Sequence, residues 1–453
     1  MCLRKCIDSV AYRSVGEETI VVNLKDRSIN ILNSVASRFW ELMNGKRKFR
    51  DIVYIISREF EVSFSEAGRD CNNLLVDLKI KGLADSPLVG VSSGKKETNI
   101  LSKEKNNNVY AVLREKAAIE KIPIVVHLDL TYKCNLRCRH CYLVLQDRRE
   151  LTTSKIRDVL SQLADMGTIY LTLSGGEILL RKDLFDIASF ARELNFAVRF
   201  LTNGTLLDEN SADKLSSFCP ELVSISIYSI KPEVHDSITQ KEGSFQKSVA
   251  AAKFLRNKGV NLKIATIIMR QNVHNYGLIA KLADDLGAQF QADYRITPKT
   301  NGCKLPLRLH ISDKDLKKVF LDSTLQKGND NFEENSSPQG DYKGIFNIIP
   351  CGAGHLSCYI SPYGDVYPCV QLPINCGNLR EKTFFDIWRK SPQILNMRSI
   401  TIDKLPVCGK CDLFQYCRLC IGLNQVEERN VLIPSQRACK EANLRKELGQ
   451  KRR

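Results

Sequence analysis

Two kinds of hydrophobic pattern divide this chain. From Ile124 onward, apolar and β-branched runs recur at the spacing of alternating strands and helices: "IVVHLDLT", "IYLTLSGG", "AVRFLTNG", "LVSISIYS", "VNLKIATIIM" and "FQADYRIT". Helix-period segments separate them, as over 244–258, where Phe245, Val249, Ala252 and Leu255 fall on one face. Six such units with strands apolar throughout predict an α/β fold, a parallel sheet curled into a partial (β/α)6 TIM-like barrel. Ahead of it, "TIVVNL" and "SINIL" flank "KDR" as a hairpin. Asn33 and Ser34 cap a helix through "VASRFWELM" that stops at Asn44-Gly45, and a second fits "FRDIVYIISREF". In a third, Cys71, Leu74, Leu75 and Leu78 repeat at helical spacing and Gly82 ends it.

The polar stretches between these patterns set the expected domains. Residues 1–90 form a small α+β unit, and 91–122, beginning "VSSGKKETNILSKEKNNN", a linker with one helix. The barrel takes 123–325. A second joint, 326–349, contains "QKGNDNFEENSSPQGDYKG" and leads into a cysteine-dense domain, 350–453, with few helix-period patterns. A domain of that composition is expected to depend on metal for its fold.

Composition narrows the class. The chain has 453 residues, 43% hydrophobic and 26% charged, ordinary values for a globular protein. No run of 18 apolar residues and no apolar signal core appears, so neither a membrane partner nor secretion is expected, and the location read is cytoplasmic. The net charge of +16 suits acidic partners, but its basic residues are spread out, so nucleic acid is not the expected partner. Seventeen cysteines in a reducing compartment suggest metal or redox chemistry above a disulfide framework. They are unevenly placed: three crowd at 134–141 and nine lie from Cys351 to Cys439.

Chemistry in such barrels gathers at the C-terminal ends of the strands. The conspicuous polar groups fall there: Cys134, Cys138 and Cys141 after the first strand, Ser174–Glu177 after the second, Thr202–Gly204 after the third. Three thiolates can hold three irons of a 4Fe–4S cluster and leave the fourth iron an open position. Zinc with His140 as fourth ligand is the alternative, although His140 directly precedes Cys141 and both would crowd one small ion.

"CNLRCRHCY" resembles the signature of the radical S-adenosylmethionine superfamily, and "LSGGEILLRKDL" resembles its Gly-Gly-Glu motif, with Ile178 where Pro is usual. The resemblance implies that Cys134, Cys138 and Cys141 hold a 4Fe–4S cluster. It implies S-adenosyl-L-methionine as cofactor, bound through Ser174, Gly175, Gly176 and Glu177, with Asn203 of "LTNGTLL" and Ser226 of "VSISIYS" contributing. The reaction implied is hydrogen abstraction by a 5′-deoxyadenosyl radical, fed by a one-electron reductant such as flavodoxin or ferredoxin.

Further on, "CGAGHLSCYISPYGDVYPC" and "CGKCDLFQYCRLC" resemble the SPASM domain, which binds two auxiliary 4Fe–4S clusters. Carried over residue by residue, Cys351, Cys358, Cys369 and Cys420 would hold the first and Cys408, Cys411, Cys417 and Cys439 the second. This chain spaces Cys417 and Cys420 as C-x2-C where the family has C-x3-C, and two structural zinc sites are the alternative. The N-terminal stretches "VVNLKDRSINILNSVASRFWELMNG" and "LLVDLKIKGLA" resemble the winged-helix-like peptide chaperone of pyrroloquinoline quinone biosynthesis, the RiPP recognition element. It implies that the leader of a precursor peptide adds a strand to the sheet edge; a winged-helix DNA-binding unit or an inert domain are the alternatives.

Together these features imply a maturase that forms a thioether or carbon–carbon crosslink in a ribosomally made peptide. A peptide epimerase would need a hydrogen donor, and Cys303, in the loop after the sixth strand, is placed for it, or is an ordinary loop thiol. A Glu–Tyr crosslinking enzyme of the pyrroloquinoline quinone type remains open. A sulfatase maturase would carry Asp after Cys369, where this chain has Val370. A DNA-binding regulator with structural clusters or zinc leaves Gly175, Gly176 and Glu177 unexplained.

Overall fold

The computed structural model describes residues 2–85, 106–322, 325 and 348–450. The chain divides into two compact units, one of residues 1–114 with 192–197, the other of 115–191 with 198–453. Of the expected joints 91–122 and 326–349, residues 91–105 and 326–347 lie outside the described residues.

In the first unit β1 (Cys2–Arg4) pairs with β5 (Asn44–Lys48), and β2 (Val10–Val15), β3 (Glu18–Asn23) and β4 (Ile29–Leu32) form an antiparallel meander. The expected hairpin is β3–β4. Helices α1 (Ser34–Leu42), α2 (Phe49–Glu59) and α3 (Phe64–Ile80) follow the expected order. Asn33 caps α1 by accepting the Ala36 N–H at 2.9 Å. Gly82, at φ +65°, lets the Leu83 N–H return to the Leu78 carbonyl at 2.8 Å and close α3. The apolar faces of all three helices, Phe39, Trp40, Ile52, Ile56, Leu74 and Leu78 among them, meet in one buried core. Helix α4 (Asn106–Glu120) comes next in the chain.

The second unit builds the barrel from β6 (Val125–Thr131), α5 (Thr153–Asp165), β7 (Tyr170–Gly175), α6 (Leu184–Glu193), β8 (Ala197–Thr202), α7 (Glu209–Ser217), β9 (Leu222–Ser226), α8 (Pro232–Thr239), α9 (Ser244–Asn257), β10 (Leu262–Ile267), α10 (Tyr276–Asp285) and β11 (Gln289–Asp293). The six strands lie side by side in chain order. This is the partial barrel read from the alternation of strands and helices. On α9 the buried positions are Ser244, Ser248, Ala251, Ala252 and Leu255, with Phe245 and Val249 only half-buried. Small residues take that face, and from it Ser248 Oγ donates to the Asn203 carbonyl at 2.7 Å.

After α11 (Asp313–Leu321), β12 (Ser357–Ile360) joins the open side of β6 in parallel, Tyr359 opposite His127. Strands β13 (Asp365–Tyr367) and β14 (Gly377–Asn378) extend the sheet antiparallel, giving nine strands among the described residues. Short helices α12 (Phe384–Lys390), α13 (Pro392–Ser399), α14 (Ile421–Glu428) and α15 (Gln436–Glu447) complete the cysteine-rich region.

Candidate active site

The loop carrying the first three cysteines is held by backbone before any metal is considered. Beyond β6, the Gly176 N–H donates to the Thr131 carbonyl at 2.7 Å and the Glu177 N–H to the Lys133 carbonyl at 2.9 Å. A Cβ on Gly175 would lie 2.1 Å from the Thr131 oxygen and one on Gly176 would lie 2.3 Å from the Lys133 oxygen. Gly175 also sits at φ +138°, so the glycine pair answers both a close approach and a backbone conformation that side chains resist. Arg181, in the same motif, donates to the Leu130 and Leu151 carbonyls at 2.7 and 2.8 Å. At the far end, the Arg137 and Arg139 N–H groups donate to the Thr239 and Ile238 carbonyls, each at 3.0 Å.

Glu177 is buried and turned inward. Its carboxylate accepts from the Leu179 N–H at 3.1 Å, Thr202 Oγ1 at 2.7 Å and the Asn203 N–H at 2.8 Å. Burial raises its pKa against these three donors. The carboxylate therefore ties the end of β7 to the end of β8. Asn203 continues the tie: its Nδ2 donates to Asn135 Oδ1 at 3.0 Å and lies 3.9 Å from Cys134 Sγ, while its Oδ1 accepts from Thr205. Ser174 is buried opposite Asp129. Ser226 ends β9, and the buried Tyr228 hydroxyl reaches both Ser226 and the Cys138 thiol.

Cys134 is exposed, and Cys138 and Cys141 are half-buried. Burial first, then the neighbouring thiols, push Cys138 up to about 12. Such a thiol becomes a ligand only beside positive charge, which iron supplies. His140 packs edge-on against the Tyr228 ring, 4.7 Å between centroids, and burial lowers its pKa to about 4. Among the described residues no three His, Cys, Asp or Glu side chains converge on a single-ion position. A four-iron cluster takes one thiolate per iron and so accepts ligands set apart around it. The donor set and the glycine cradle fit that group.

Cys303 is half-buried in a loop whose Thr300 N–H donates to the Tyr142 carbonyl at 2.8 Å, so this segment borders the first cysteine loop. Of the C-terminal cysteines, the thiol of Cys351 feels those of Cys420 and Cys369, and Cys358 feels Cys376 and Cys369. Cys408 feels Cys439 and Cys411, and Cys417 feels Cys408 and Cys439. Cys420 stays beside Cys351 despite the short spacing. Buried Cys376, next to Cys358, belongs to no motif in the sequence.

One network escaped the sequence reading. The Tyr359 hydroxyl donates to Asp129 Oδ2 at 2.8 Å, so the Tyr132 hydroxyl, 2.5 Å away, must donate to Tyr359. His127 Nε2 meets Asp129 Oδ1 at 3.0 Å. The signal was His127 and Asp129 two apart in an apolar strand, on one face.

Comparison with known proteins follows the same division. The family profile described as "Radical SAM superfamily" matches residues 128–283, "Iron-sulfur cluster-binding domain" (SPASM) matches 351–412, and "Coenzyme PQQ synthesis protein D (PqqD)" matches 18–84. The mycofactocin maturase MftC of Mycolicibacterium smegmatis is 31% identical over 307 residues, 65% of this chain and 77% of that protein. The chain belongs to the radical SAM superfamily. The AdoMet-dependent heme synthase of Methanosarcina barkeri is 27% identical over 328 residues, 67% of this chain and 92% of that enzyme. Streptococcus suis SuiB, crystallised with precursor peptide SuiA, shares the fold: TM-score 0.63 at 18% identity, over 97% of this chain and 100% of that one. As a radical SAM enzyme with a SPASM domain, the protein uses 4Fe–4S clusters and S-adenosylmethionine. Among the described residues no helix is long and apolar enough to cross a membrane.

Proposed function

We propose that this enzyme modifies a ribosomally made precursor peptide, most simply by closing a thioether or carbon–carbon crosslink. The observation that carries this reading is the union in one chain of the PqqD match over 18–84 with the radical SAM and SPASM matches. In this reading residues 1–90 bind the leader, 123–325 carry the reaction and 350–453 the auxiliary clusters, with joints at 91–122 and 326–349. A leader held on the same chain raises the local concentration of a weakly bound core peptide. SuiB bound to its precursor peptide and the name of MftC support the same substrate class. The likeness to a heme synthase supports a second reading, porphyrin chemistry, which leaves the PqqD match without a role.

Cys134, Cys138 and Cys141 hold the cluster that meets S-adenosylmethionine, and Cys351, Cys358, Cys369 and Cys420, then Cys408, Cys411, Cys417 and Cys439, hold the auxiliary pair. Bound cluster and cofactor supply hydrogen-atom abstraction from carbon. The chain's own part is to position and enclose. Gly175 and Gly176 bring their backbone against the cysteine loop, with Ser174 and Ser226 at the adjoining strand ends. Glu177 and Asn203 fix the loops that face the cofactor, and Tyr228 covers Cys138. The reductant, of flavodoxin or ferredoxin type, and a cytoplasmic location belong to this proposal.

The test is anaerobic co-expression with a short peptide encoded beside this gene, read by intact mass in ordinary and heavy water. Loss of two hydrogens that requires Cys134, Cys138 and Cys141 is the expected outcome. An unchanged mass that gains one deuterium in heavy water would replace crosslinking with epimerisation and give Cys303 the role of hydrogen donor. Unmodified peptide beside 5′-deoxyadenosine formation would overturn the reading for that peptide.

A further inference from the structure

The segment 416–420 joins the two auxiliary quartets, since Cys417 belongs to one and Cys420 to the other. Two arginines grip it on either side of Cys417. The Tyr416 carbonyl accepts from Arg445 Nη1 at 3.4 Å, and the Arg418 carbonyl accepts from Arg295 Nη2 at 3.4 Å. Arg445 comes from α15, the helix that also carries Cys439, and Arg295 from the turn just after β11. Tyr294 stands between them, accepting from Arg445 Nη2 at 2.5 Å and donating to Glu441 Oε2 at 3.2 Å. A third guanidinium, Arg418, has its Nε buried without a hydrogen-bond partner.

The carboxylates facing this patch are Asp293 and Glu441. Asp293 Oδ1 accepts the backbone N–H of Arg295 at 2.9 Å, and Glu441 is shared with Arg437 at 3.0 Å. Three guanidiniums, Arg445 buried and Arg295 and Arg418 half-buried, against two carboxylates, one of them divided, leave a positive surplus. Burying such charge is costly unless an anion meets it. Four thiolates make each assembled auxiliary cluster a net anion, and both quartets adjoin the patch.

Resting on the cluster assignment above, we propose that Arg295 and Arg445 are positioning residues that raise the reduction potentials of the auxiliary clusters at Cys420 and Cys417. Adding an electron beside fixed positive charge is favoured, and the effect falls with distance. Arg295, whose charge is felt at both cysteines, acts on both clusters. Arg445, between α15 and Tyr416, acts chiefly on the second.

The experiment is an anaerobic potentiometric titration of the full-length, iron-loaded protein, followed by electron paramagnetic resonance. Arg295→Gln keeps a donor for the Arg418 carbonyl and removes the charge. The expected result is a shift of both auxiliary signals to lower potential, with the signal that responds to S-adenosylmethionine unmoved. Arg295→Lys should restore most of the shift, and Arg445→Gln should move mainly one signal. Unchanged potentials in Arg295→Gln at full iron content would overturn the clamp, and so would an equal shift of all three signals. Cys417→Ala separates the two levels: loss of one auxiliary signal upholds the assignment, and its full retention overturns the assignment itself.

Discussion

The protein holds its cysteines in two physically different ways. The barrel loop with Cys134, Cys138 and Cys141 is fixed by backbone bonds to Gly176 and Glu177, just past the end of β7, and to Ile238 and Thr239 of α8. The stretch from Thr401 to Leu419 has only three-residue helical turns, at Ile402–Lys404, Cys408–Lys410 and Phe414–Tyr416. Its buried side chains are few, Leu405, Cys408 and Leu419, and one of those is itself a thiol. On the proposed assignment, a cluster bound where a sheet carries the loop would be a guest, and one bound where only short turns carry it would be part of the fold.

The largest test of this contrast is removal of iron. Hydrogen exchange should rise toward the unprotected rate across 401–419 while β6 to β10 keep their protection. Equal loss in both regions would break the contrast. A smaller effect should come from Gly176→Ala, whose new Cβ meets the Lys133 carbonyl at 2.3 Å. Displacing that backbone should cost roughly 2–3 kcal/mol in denaturant unfolding and about a third of the bound iron, with the auxiliary clusters retained. Loss of the auxiliary signals instead would place the dependence the other way round.

The smallest effect concerns a tie from the segment after the barrel loop to β13, where Arg148 donates to both Asp365 oxygens at 2.6 and 3.1 Å. Burial pushes the Asp365 pKa up, but Arg148 and Asn378 outweigh it and hold it below the ordinary 3.8. Its stabilising contribution is therefore full above pH 3.8 and lost as pH falls through the depressed value. Asp365→Asn should flatten that acid limb of the unfolding midpoint and leave the slope near neutrality unchanged.

What was legible in the sequence was what local pattern encodes. The six barrel strands read directly because each is apolar along its length. Strand β2, "VAYRSV", did not, because Arg13 and Ser14 interrupt its apolar run, and β5, "NGKRK", is polar throughout. The cysteine groups were legible as spacing, whereas the inward turn of Glu177 and the spent amide of Asn203 depend on contacts between separate strand ends. Likewise Arg295 falls within the run "FQADYRIT" read as the sixth strand, but its partner carbonyl lies more than a hundred positions away.

The pairing of β12 with β6 also sets an order of events during synthesis. Val125 waits for Ser357, made more than two hundred positions later, which at ribosomal rates is on the order of tens of seconds. During that interval the first barrel strand presents one bare flank, the kind of surface that recruits other nascent chains. A chain stopped short of Ile360 would keep that flank for good, so translation stalls and early truncations should yield aggregates even when every residue of the barrel has been made.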